Sequence, residues 1–397
     1  MAGGVMAARR HQVGQRAAGL RDLVLAPLIQ LARELDAADL AIGIPPGNPP
    51  AAAVSAATRA MRSGLNQYAD PSGVPHLREM LAERIAARNG TGIDPTTELT
   101  VTAGSTEAVL VSLLTVTDPG DEVIVIEPAF ETYSGAVRLA GCVLVPVRLR
   151  NPGWRLDLDR LAAAFTERTA AVIVNTPHNP TGRVFSREEM AGLLALCEQH
   201  GVVCVSDEVY ADFVFDRRAH VSALDFPQHR EHRIVSASLS KANEMAGWRI
   251  GYCVATPRLT AVLRKVHERT SFSTSTPLQH GAAAVANATC GPDQFEHRRK
   301  EMVDRLRDMG FDVHPPEGGW YVMAGTEPLG LDAERLSDAL LRTARVLVVP
   351  GTPFFENTAD GRRWIRTTFV KDPVRQTAAL DAMEAHLPAV AKVSELR

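Results

Sequence analysis

Between residues 99 and 255, short runs of β-branched and apolar residues alternate with longer amphipathic stretches, and no other pattern in the chain limits its fold as much. Such alternation is the signature of α/β layering, with helices flanking a mostly parallel sheet. It predicts seven strands, at Leu99–Ala103, Glu122–Glu127, Val143–Leu149, Ala171–Thr176, Val202–Ser206, Arg233–Ala237 and Ile250–Ala255. Helices are expected at Thr106–Thr115, Glu131–Ala140, Ser186–His200 and Pro257–Thr270. Ligands of such sheets collect at the carboxyl ends of the strands, so polar residues there are the first candidates for chemistry.

The alternation ends near Gly291-Pro292, where a long charged helix, Asp293–Met309, opens a new α+β pattern. Residues 21–50, a helix followed by Ile44-Pro-Pro-Gly-Asn-Pro-Pro50, are expected to pack with that C-terminal part. A length of 397 residues accommodates two domains. The expected division is an N-terminal arm at 1–20, a smaller discontinuous α+β domain at 21–50 plus 293–397, and a larger domain at 51–292. Met1–Arg16 carries arginines with no apolar stretch after them, which argues against a secretory signal. There is no 18-residue apolar run, so no membrane span is expected. A net charge of -3 gives no case for a nucleic-acid or membrane partner, which leaves a small molecule. Cys142, Cys197, Cys204, Cys253 and Cys290 stand singly without a C-x-x-C pair. They read as reduced core residues of a cytoplasmic protein, and no metal site is expected.

One run has the makings of a cofactor anchor: Ser238-Leu-Ser-Lys-Ala-Asn-Glu-Met-Ala-Gly-Trp-Arg249. A lysine that forms an imine with an aldehyde needs a nearby oxyanion site and shielding from water. Ser238 offers a hydroxyl, and Arg249 offers a planar cationic fork suited to phosphate. Taken alone, the run also fits an exposed lysine in a Ser-rich loop. Gly104-Ser105-Thr106 follows a strand and opens a helix, where N–H groups and hydroxyls can face an anion or simply cap the helix. Asp207 ends an apolar strand, where a buried acid needs a partner. Asn175-Thr-Pro-His-Asn-Pro-Thr-Gly182 leaves another strand as a turn rich in breakers.

Together these segments resemble the class I and II aminotransferase family, the pyridoxal-phosphate enzymes of the aspartate aminotransferase fold (fold type I), over roughly residues 35 to 375. Residues 238–251 match S-x-S-K-x-x-x-M-x-G-W-R-x-G at every fixed position, and residues 175–182 are close to the family's N-P-x-N-P-T-G loop. The resemblance implies pyridoxal 5'-phosphate as cofactor and Lys241 as its Schiff-base lysine. It implies Ser105, Thr106, Ser238 and Arg249 on the phosphate, and Asp207 beside the pyridine nitrogen, which makes the ring an electron sink. Asn179 and Tyr210 would donate to the phenolic oxygen, and Phe130 would stack on the ring. Lys241, Asp207 and Tyr210 are thus the implied catalytic residues. Tyr68, in a segment similar to Y-x-x-x-x-G-x-x-x-L-R, would reach the phosphate of a neighbouring subunit, implying a homodimer with shared active sites. Arg366 would pair bidentately with the substrate α-carboxylate, with Gly43 and Asn179 beside it.

The implied reaction moves an amino group between an amino acid and a 2-oxo acid by a ping-pong cycle. A lyase, a β- or γ-replacement enzyme or a cyclising enzyme would use the same cofactor residues, because the pocket walls select the outcome. A non-catalytic sensor of this fold is disfavoured by the missing helix-turn-helix module and the complete residue set. Three segments depart from the family pattern: Gly47, Ala242 and Thr352-Pro-Phe-Phe-Glu-Asn357. The first and third fall where the substrate side chain is selected. Arg138 and Arg217-Arg218 are candidates for a second carboxylate site.

Overall fold

A computed structural model describes residues 13–44, 46–288 and 290–395. The seven expected strands all form, and they join in one sheet: β1 (Leu99–Thr102), β2 (Glu122–Glu127), β3 (Val143–Arg148), β4 (Thr169–Asn175), β5 (Val203–Asp207), β6 (Arg233–Ser238) and β7 (Gly251–Val254). Their order is β1-β7-β6-β5-β4-β2-β3. The run from β6 to β3 is parallel, and β7 lies antiparallel to both β1 and β6. Central parallel strands are covered on both faces, which explains the unbroken apolar runs of β2, β4 and β5. β3 closes one edge, and only Val147 of its residues is buried.

The flanking helices carry their own stop and start signals. Arg187–His200 begins with a capping box in which Ser186 accepts from the Glu189 N–H and Glu189 accepts from the Ser186 N–H. It ends at Gly201, whose φ of 68° is the left-handed cap that glycine adopts without strain. The helix expected from Thr106 starts earlier, at Gly104, because the Glu107 carboxylate reaches back to the Ala103 N–H. Helices also form at Ala51–Arg62, Pro75–Asn89 and Thr276–Ala283, outside the helices expected from the sequence.

A second, four-stranded antiparallel sheet is built from Asp312–Val313, Tyr321–Gly325, Trp364–Thr368 and Val349–Pro350. Ala38–Asp39 pairs in parallel with Val346–Leu347, and the Thr368 N–H donates to Leu40 O at 2.8 Å. Residues 38–40 are thereby held by the C-terminal third of the chain. Trp320, Phe213, Phe295, Phe215 and Phe369 share a core between the two sheets, with ring centroids 4.9–6.0 Å apart. That core fixes the carboxyl ends of β4–β6 against the second sheet. The expected arm falls largely on residues 1–12, outside the described residues, and Gln15–Ala18 forms a short helix. Among the described residues no helix is long and apolar enough to cross a membrane.

Candidate active site

A cavity of about 210 Å³ opens at the carboxyl ends of the strands, lined among others by Ser105, Thr106, Phe130, Asn179, Asp207, Tyr210, Lys241 and Arg249. These eight residues come from segments scattered between positions 105 and 249, and the sheet brings them together.

Lys241 stands in a short helix just past β6, and its Nζ donates to Gly43 O at 3.2 Å. The amine lies 4.9 Å from the centre of the Trp320 ring and 5.7 Å from that of Tyr210. Burial holds its pKa below the ordinary lysine value, with Arg366 and Arg249 pushing the same way against Tyr321 and Asp207. An amine whose pKa is lowered gives up its proton more readily and so serves better as nucleophile and base.

Asp207 ends β5 and is buried. Its Oδ2 accepts from the Tyr133 hydroxyl at 2.8 Å, and its Oδ1 accepts from the Val209 N–H at 3.2 Å. No lysine or arginine pairs with it among the described residues. Burial therefore raises its carboxyl to about 6, against the opposing Tyr133 hydrogen bond. A buried carboxylate facing a cavity without a cation fits a ligand that carries one there.

At the opposite side lies an anion cradle. Gly104 has a φ of 76°, and a Cβ there would collide with the Arg249 guanidinium, so the helix N-terminus and the cation are in close packing. Arg249 donates to Ala246 O at 3.0 Å and Ala103 O at 3.3 Å and takes no carboxylate partner among the described residues. An unneutralised guanidinium beside a helix N-terminus fits a phosphate. Ser238 does not line this cavity. Its hydroxyl accepts from the Ser240 N–H at 3.0 Å and lies 2.8 Å from Ser240 Oγ and 3.0 Å from Ile250 O, and Ser240 lines the wall instead.

Arg366 is fully buried in the strand Trp364–Thr368. Nη1 donates to Asn179 Oδ1 at 3.1 Å and Nη2 to Ala41 O at 3.0 Å. Its guanidinium lies 4.1 Å from the centre of the Tyr321 ring and 4.7 Å from that of Phe354. Two aromatic faces and two hydrogen bonds fix the fork before any ligand arrives. Gly43 sits where a side chain would strike the Tyr321 ring, which explains the absence of a Cβ.

Tyr68 is not among the cavity residues. It is 85 % exposed and packs edge-on against Phe272 at 5.3 Å. Arg217 and Arg218 are also elsewhere, with Arg218 paired to Glu317 at 3.3 Å. Gly47 packs against Glu244, and Phe354 and Phe355 of the 352–357 loop are buried.

Three contributors were missed by sequence reasoning. Tyr133 follows Phe130 by three residues, one helical turn, and that spacing was the available signal. Tyr321 hydrogen-bonds Tyr210 and lies over Arg366. Burial pushes its phenol up, but Arg366 and Lys241 outweigh this and bring it below the ordinary value. Asn175 accepts from the Asn179 N–H at 2.7 Å and donates to Asp207 O at 2.8 Å, so it shapes the loop that presents Asn179.

The family model "Aminotransferase class I and II" matches residues 36–382. The methionine aminotransferase of Escherichia coli is 32% identical over 359 residues, spanning 89% of this chain and 93% of that protein. A probable N-succinyldiaminopimelate aminotransferase of Mycobacterium tuberculosis is 33% identical over 344 residues, with 85% and 87% covered. Among solved structures, the N-succinyldiaminopimelate aminotransferase from Mycobacterium tuberculosis superposes with a TM-score of 0.89 at 31% identity, covering 94% of this chain and all of that one (100%). An aspartate aminotransferase from Thermotoga maritima gives a TM-score of 0.88 at 29% identity, with 95% and 100% covered.

Proposed function

The chain belongs to the class I and II aminotransferases, fold type I enzymes whose members depend on pyridoxal phosphate, and from that membership we propose that its transfer reaction runs on Lys241 in the cavity at the strand ends. The observation that carries this reading is the meeting, in one cavity, of a buried amine of lowered pKa, a buried carboxylate without a cation and an anion cradle.

When bound, pyridoxal phosphate supplies an aldehyde carbon for the amine and a ring that withdraws electrons from the substrate's α carbon. Ser105, Thr106 and Arg249 would hold its phosphate, Asp207 its ring nitrogen, and Phe130 its face. The remaining work falls to this chain's own groups. Lys241, with its pKa lowered by burial, takes a proton from the substrate and returns it from the same position. Tyr133 holds the Asp207 carboxylate in its charged form by donating to Oδ2. Arg366, fixed by Asn179, Ala41 and two aromatic rings, orients the substrate by its α-carboxylate. Substrates are an amino acid and a 2-oxo acid. The exposed Tyr68 supports a homodimer in which it serves a neighbouring site, and five free cysteines, four of them buried, support a reducing cytoplasmic setting. We divide the chain into a larger domain at 51–292 and a smaller one at 21–50 plus 293–397.

The test is transfer of ¹⁵N from a labelled L-amino acid to an unlabelled 2-oxo acid, followed by mass spectrometry. Transfer by the wild type and none by Lys241→Ala is expected. Label transfer that survives the substitution would refute the assignment.

A further inference from the structure

A second cavity, of about 430 Å³, adjoins the first. Thr106 lines both. Phe130 lines the catalytic cavity while its neighbour Glu131 lines the second. Phe354 covers the Arg366 guanidinium while its neighbour Pro353 lines the second cavity. At two places, then, a wall of the catalytic cavity continues into the larger one, and at a third the aromatic cover of Arg366 does. An amino acid whose carboxylate rests on Arg366 can extend its side chain in that direction.

The chemistry of this space is mainly apolar, from Leu20, Leu23, Leu110, Ala136, Leu139 and Pro353. Its two cations are already committed. Arg138 Nη2 lies 2.6 Å from Glu356 Oε1, and Arg21 Nη2 lies 2.9 Å from the same oxygen. Arg21 also donates to the main-chain oxygens of Phe355 and Glu356, at 3.3 and 2.8 Å. Glu131, by contrast, has no cationic partner within salt-bridge distance among the described residues. Asp22 and Glu334 line the space as well, so a distal carboxylate entering here would meet three carboxylates and two arginines that already share Glu356.

Resting on the proposed function above, we infer that this second cavity is the side-chain subsite and that it selects amino donors with elongated, mainly apolar side chains against dicarboxylic ones. Arg138, the candidate for a second carboxylate site, is in place but paired through Nη2 with Glu356, which it shares with Arg21. Glu356 is therefore a specificity-determining residue.

The experiment compares kcat/KM for L-alanine, L-methionine, L-leucine, L-phenylalanine, L-aspartate and L-glutamate in wild type, Glu356→Gln and Leu139→Lys holoenzymes. Wild type should favour the elongated neutral donors over both acids by about a hundredfold or more, the scale that an unpaired buried charge imposes. Glu356→Gln removes the carboxylate shared by Arg21 and Arg138 and should raise the acids by about tenfold relative to alanine. Leu139 is 40% exposed and tolerates substitution, so Leu139→Lys reads the same shift should the first variant fail to fold. Equal use of glutamate and methionine by the wild type, or a neutral-to-acid ratio unmoved in the folded variants, would overturn the inference while leaving the transaminase reading standing. No conversion of any donor, alanine included, would overturn both.

Discussion

Asp207→Asn separates the stability of the protein from its activity, in opposite directions. Burial raises the carboxyl from 3.8 to about 6, a difference of about 3 kcal/mol between the two protonation states. Because the folded value lies above the unfolded one, the contribution of Asp207 to stability is greatest below about pH 4. It is lost as pH rises toward 6, and the full cost persists above that. An asparagine has the same shape and no charge at any pH. Without cofactor, Asp207→Asn should therefore be more stable than wild type by up to about 3 kcal/mol at pH 8, with the two converging near pH 4. Adding pyridoxal phosphate should stabilise the wild type more, since only it can pair a charge with the ring nitrogen. Turnover should fall about a thousandfold or more, the scale expected for a lost buried charge at the reacting centre. The assay is urea unfolding from pH 4 to 8, with and without cofactor, alongside turnover. Equal stability at pH 8, or a difference that does not change with pH, would refute the reasoning.

Three further substitutions probe other parts of the site. Lys241→Ala should leave a folded protein that borohydride no longer links covalently to pyridoxal phosphate, as read by intact mass. Arg366→Lys replaces a fixed fork by a point charge, and should raise KM for amino acids about ten- to a hundredfold while kcat changes less. An unchanged KM across donors would remove Arg366 from the carboxylate site. Gly104→Ala places a Cβ at a φ of 76° against the Arg249 guanidinium, so it should weaken cofactor binding and cost about 1–3 kcal/mol of stability. Cofactor titration and denaturant unfolding of this variant check both effects.

The large sheet was legible because buried parallel strands must be nearly continuous apolar runs, and β2, β4 and β5 are. The ends of β4 and β5 shifted by a residue or two, and the helix after β1 starts early because Glu107 captures the Ala103 main-chain N–H. The direction of β7 was not legible, since an antiparallel strand inside the sheet has the same composition as its neighbours. In the site, Lys241, Asp207, Asn179 and Arg249 announced themselves by local motifs at strand ends. Tyr133 and Tyr321 did not, because what matters is a contact made across the fold, Tyr133 to Asp207 over 74 residues and Tyr321 to Arg366 between adjacent strands. The same holds for Arg138, whose pairing with Glu356 joins residues 218 apart. Ser238 lies in the motif, yet its hydroxyl is turned into its own loop and Ser240 faces the cavity, a choice set by backbone geometry that a pattern of letters does not contain.

The most direct test of the central claim is a count of product per site. Cofactor-loaded enzyme given an excess of one amino donor and no 2-oxo acid should release about one equivalent of oxo acid per Lys241 and then stop, because the amino group stays on the enzyme. Addition of a 2-oxo acid should restart release. Continuous product formation from the single donor would contradict transamination at this site and point to elimination or replacement chemistry instead.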